Sequence, residues 1–86
     1  MFSQPMTPSV RTVLKFIQSP HEGVPPTVDD YHSAAQFFVG LASEKLHKKQ
    51  HSLSSAFTKT AVRVAEKSSD MALLHETKRV SIWYVA

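Results

Sequence analysis

The sequence predicts an α+β domain, three helices followed by a C-terminal β-hairpin. Three observations carry that expectation. Apolar residues recur at helical spacing in three stretches, and each stretch opens on a hydroxyl able to cap it, Thr7, Thr27 or Ser52. Val80, Ile82 and Tyr84 then alternate with Ser81, Trp83 and Val85, the period of a strand. At 86 residues the chain has room for a single core, so these elements belong to one domain spanning 1–86.

Residues 1–6 are expected to form a loose arm. Thr7-Pro8 supplies a cap and a proline at the first helical position, where its missing N–H costs nothing. Val10, Val13, Leu14 and Ile17 make one stripe, with Arg11, Thr12, Lys15 and Gln18 away from it, and the helix is expected to end near Ser19-Pro20. Residues 21–26, HEGVPP, read as a loop. Thr27 caps the second helix, and Asp30 completes a capping-box-like pair. Tyr31, Ala34, Ala35, Phe38, Leu41, Ala42 and Leu46 share its inner face to about Lys49. Gly40 points outward within it, at a cost of about 1 kcal/mol relative to alanine, with a turn at Gly40 as the alternative to one long helix. Phe37 falls off the main face.

The central stretch is Ser52–Ser68. Leu53, Ala56, Phe57, Ala61, Val64 and Ala65 fall on one side, and Ser55, Thr58, Lys59, Val62 and Glu66 on the other, with Arg63 flanking. An alanine-rich inner face packs close to its neighbours. An outer face of short hydroxyls with Lys and Arg can approach a phosphate backbone without clashing. That pattern reads as a recognition helix; an ordinary solvated face is the plainer alternative. After Ser68-Ser69-Asp70 breaks the pattern, Met71–Thr77 and Lys78–Ala86 read as two strands, with Lys78 and Arg79 at or near the hairpin tip.

Charge follows the same division. Residues 1–43 carry two cations against three acids, and residues 44–86 carry eight against four, so the basic excess lies wholly in the second half. Such an excess suits a polyanionic partner. The absence of cysteine fits a reducing compartment, and no apolar run approaches the ~20 residues of a bilayer span, so the expected location is cytoplasmic, away from membranes.

Chemistry is harder to find. Asp29 and Asp30 are adjacent and point about 100° apart on a helix. His47 and His51 have a spacing that can grip a metal, yet no third ligand is convincing, and a solvated basic helix end explains them better. No phosphate loop, dinucleotide fingerprint or nucleophile triad is present. Neither an enzyme nor a cofactor is expected.

Three helices and a basic-tipped hairpin follow the order of a small winged helix-turn-helix. Val13-Leu14-Lys15-Phe16-Ile17, then Gly23-Val24-Pro25-Pro26-Thr27 leading into Asp30-Tyr31, resemble the start of the DNA-binding domain of LexA repressors over residues 10–31. The resemblance implies that 52–68 enters the major groove and that 71–86 forms a wing on the backbone. The expected partner is double-stranded DNA, bound by a transcriptional regulator that can act as a homodimer. Lys48, Lys49, Lys59, Arg63, Lys78 and Arg79 would meet phosphates, while Ser55 and Thr58 approach base edges. The alternative is a protein-interaction module, an adaptor or inhibitor, using Phe2, Phe16, Phe37 and Trp83 as anchors.

Overall fold

The computed structural model describes residues 7–20 and 24–81, and these form four helices with no strand. They are α1 (Pro8–Gln18), α2 (Val28–His47), α3 (His51–Lys67) and α4 (Met71–Ser81).

The first two helices start where local chemistry places them. Thr7 Oγ1 accepts the Val10 N–H at 3.3 Å, with Pro8 in the first turn. At the head of α2, Asp30 Oδ2 accepts the Thr27 N–H at 3.1 Å and Thr27 Oγ1 accepts the Asp30 N–H at 3.2 Å, a reciprocal capping box. Ser9 Oγ also donates to Asp30 Oδ1 at 2.8 Å, so one carboxylate caps α2 and ties α1 to it. Helix α2 runs unbroken through Gly40, as expected, and a Cβ at that position would meet open space. Gly40→Ala should therefore raise stability by about 0.5–1 kcal/mol in urea denaturation, through lost freedom of the unfolded chain.

Three residues turn the chain from α2 into α3. Lys49 takes the left-handed conformation at φ 60°. Its N–H bonds the Leu46 carbonyl at 3.0 Å, and the Gln50 N–H reaches back to Lys45 at 2.8 Å, closing a Schellman-type end. Helix α3 consequently begins at His51, with Gln50 in the cap position and no side-chain cap bond, so Ser52 is not its cap.

The reversal lays α3 antiparallel along α2. Ser54 Oγ donates to the Ala42 carbonyl at 2.8 Å, and the Phe38 and Phe57 rings stack with centroids 6.3 Å apart one layer further on. Ala35, Ala42, Ala61 and Ala65 are all buried, and their small side chains let the two backbones approach. The buried side of α3 is Ser54, Thr58, Ala61, Val64 and Ala65, rotated by roughly 60° from the side predicted by hydropathy. Leu53 is 45% exposed and Ala56 is exposed. Hydroxyls explain the rotation. Ser54 satisfies its own across the helix pair, and Thr58 Oγ1 donates to the Ser54 carbonyl at 2.8 Å, so both can be buried without an orphan donor.

The predicted hairpin is corrected to a helix, and the α+β class with it. Asp70 is what makes the difference. Its Oδ1 accepts the N–H groups of Ala72 at 3.0 Å and Leu73 at 3.3 Å, so the apparent break at Ser68-Ser69-Asp70 is the start of α4. Leu73 and Thr77 then bury a helical stripe that Val80 continues half-buried. Lys78 and Arg79 are therefore exposed positions on α4 and do not sit at a wing tip. Residues 82–86, which carry most of the alternation, lie outside the described residues. The small winged helix-turn-helix architecture falls with its hairpin; the described chain is all-α.

Candidate nucleic-acid interface

The exposed side of α3 carries Ser52, Ala56, Lys59, Arg63 and Lys67, with Glu66 exposed beside Arg63. Lys59, Arg63 and Lys67 follow at i, i+4 and i+8, so they rise along one side of a helix of 17 residues, about 25 Å long. None of the three makes an ion pair with a described residue. The α2–α3 turn extends the line with Lys48 and Lys49, flanked by Lys45, His47 and His51. No acid stands in the first turn of α3, so its positive dipole end adds to the cations of the α2–α3 turn.

Four of the six acids among the described residues lie toward the opposite end, alongside Lys67, while Glu44 stands by the α2–α3 turn and Glu76 within α4. Asp29 and Asp30 occupy the first turn of α2, Glu66 the last turn of α3, and Asp70 the cap of α4. Asp70 Oδ2 lies 3.1 Å from His32 Nε2, which joins α4 to α2. The His32 bond, followed by the Leu73 and Ala72 N–H groups, holds the Asp70 carboxyl below its ordinary value of 3.8; the Thr27 N–H, then Ser9, does the same for Asp30. Carboxylates with depressed values stabilise the fold above their unfolded value, and that contribution disappears as pH falls through the folded one. The thermal midpoint should thus hold steady above about pH 5 and drop below about pH 4, with a shallower drop in Asp70→Asn. A midpoint that rises on acidification would contradict both assignments.

The residues expected to contact DNA divide into three groups. Lys49, Lys59 and Arg63 are exposed cations on the turn and the α3 stripe. Lys48 belongs with them in position, but its Nζ donates to Glu44 Oε1 at 3.1 Å, so part of its charge serves a carboxylate that α2 buries. Ser55 is half-buried beside the stripe. Thr58 is 3% exposed and spends its hydroxyl proton on Ser54, so it reaches no base edge. Lys78 and Arg79 belong to α4 and border an open depression with Ala72, His75 and Glu76.

Of the aromatics named for the protein-binding alternative, Phe37 is half-buried, packed on the core and edge-on to Phe38 at 5.4 Å. Phe16 is half-buried, and Phe2 and Trp83 lie outside the described residues. His47 Nδ1 donates to the Ser43 carbonyl at 2.9 Å, and no cluster of three potential metal ligands occurs among the described residues. No described helix is long and apolar enough to cross a membrane.

Sequence reasoning missed Arg11 and Lys15. Both are exposed on α1, and the wall of a groove between α1 and α3 is formed by Leu14, Ile17 and Gln18 on one side and Thr60, Arg63 and Val64 on the other. Arg11, Lys15 and Gln18 stand at i, i+4 and i+7, so the α1 cations continue that wall. Their spacing was visible in the sequence; the groove beside them depends on how α1 packs. No protein-family profile, curated protein or solved structure matches this chain.

Proposed function

We propose that the domain is a non-catalytic DNA-binding protein, a small regulator that holds the phosphate backbone with the α3 stripe and the α2–α3 turn. The observation supporting this is the run of exposed cations Lys49, Lys59, Arg63 and Lys67. These side chains have no described partner to give up on binding. With Thr58 buried and Ser55 half-buried, the exposed cations are left to contact phosphate, which positions a protein on a duplex and carries no sequence information. Binding is thus expected to be general in sequence and strongly salt-dependent. A cytoplasmic setting belongs to the proposal and rests on composition.

Fluorescence anisotropy with a labelled random duplex tests it at about 50 and 200 mM salt, where each neutralised phosphate contributes about −0.9 to the logarithmic salt slope. Lys59→Ala should weaken binding to all sequences and reduce the slope by about one. An affinity equal at both salt concentrations would remove the proposal.

A further inference from the structure

The groove between α1 and α3 has a feature that a phosphate backbone cannot use. It encloses about 220 Å³, and Leu14, Ile17 and Val64 give it an apolar lining, with Gln18, Thr60 and Arg63 completing it. Among the described residues no acidic side chain lines it. The stripe spacing sets Arg11 and Lys15 along the α1 wall and Lys67 one turn beyond Arg63 on the α3 wall, while Lys59 falls on the far side of Arg63. Glu66, the nearest acid in sequence, falls on the side of Arg63 away from Thr60 and Val64.

An apolar trough between two rows of cations fits an occupant with the converse pattern. Duplex DNA supplies the charge but presents a polar, evenly charged outer surface. An amphipathic helix rich in Asp and Glu supplies both, its aliphatic stripe filling the trough and its carboxylates meeting the cations on each wall. We propose that the α1/α3 groove docks an acidic amphipathic helix of a protein partner. Docking covers Arg63 and approaches Lys67, so where the DNA reading above holds, such a helix competes with the duplex and regulates it.

The probe is a fluorescein-labelled 18-residue peptide of Leu and Glu, with Leu at i, i+3, i+4 and i+7 spacing. Its control has the same composition, with the Leu residues spread around the helix. In anisotropy titrations at 150 mM salt the patterned peptide should bind at least tenfold tighter than the control. Gln18→Trp, a change at an exposed position that fills the groove, should weaken the patterned peptide at least tenfold and leave duplex binding within twofold. Arg11→Glu with Lys15→Glu should weaken the peptide likewise, circular dichroism confirming that each variant is folded. Equal binding of the two peptides, or an unchanged peptide affinity in Gln18→Trp, would overturn the inference. Loss of duplex binding in the unaltered protein, with peptide binding retained, would remove the DNA reading and leave this one standing.

Discussion

Phe38→Ala is expected to remove a large share of the domain's stability, about 3–5 kcal/mol. Phe38 is 6% exposed, stacks on Phe57 and meets the edge of Phe37, so truncation empties the centre of the α2–α3 pair. Removing a buried phenylalanine costs about 3–5 kcal/mol in lost transfer energy and residual cavity. A domain of 86 residues has a total of about 4–13 kcal/mol to lose. Circular dichroism should show a thermal midpoint lowered by about 15 °C or more. A near-native melting curve would mean that Phe38 is not central to the core.

The second large effect comes from adding volume. The Ala42–Ser54 bond and the Phe38–Phe57 stack set a pairing between α2 and α3 that brings Ala61 opposite Ala35, at 0% and 1% exposure. Ala61→Leu raises helix-compatible hydrophobicity, so a view based on hydrophobic content alone would expect a gain. The opposite is expected. Three extra carbons where two backbones approach closely must push α3 outward, costing about 1–3 kcal/mol. That displacement would also stretch the Ser54 bond. Urea denaturation should give a lower midpoint, and the Lys59–Arg63 stripe would shift with it.

These two sites show why some of the fold was legible in the sequence and some was not. Thr7-Pro8 and the Thr27/Asp30 pair are local devices whose partners lie within a few residues, so α1 and α2 could be read directly. The presence of α3 was legible from its helical periodicity, since its expected cap Ser52 does not cap it, but its orientation was not. Hydropathy counts Ser54 and Thr58 as outward residues, whereas each hydroxyl finds a carbonyl inside. Leu53, on the first turn beside the chain reversal, is left outside. The C-terminal error has a different origin. Val80–Val85 alternates strongly, and the cap that decides the matter, Asp70, also depends on His32 of a distant helix. Met71-Ala72-Leu73-Leu74, followed by Glu76, Lys78 and Arg79, is rich in good helix formers, which was the available warning. As for the site, the exposure of Lys49, Lys59 and Arg63 followed from amphipathicity, while the α1 contribution required knowing how α1 packs.

The tight reversal at Lys48–Gln50 also bears on the order of events when the chain folds. The bond from Ser54 to Ala42 spans 12 residues, and the aromatic stack lies just beyond it, so the earliest contacts close short loops. The link between His32 and Asp70 spans 38 residues and must wait until α2 and α3 have been brought together. Folding should therefore nucleate as a zipper from the α2–α3 turn, on the microsecond to millisecond scale of proteins dominated by local contacts, with α4 docking last.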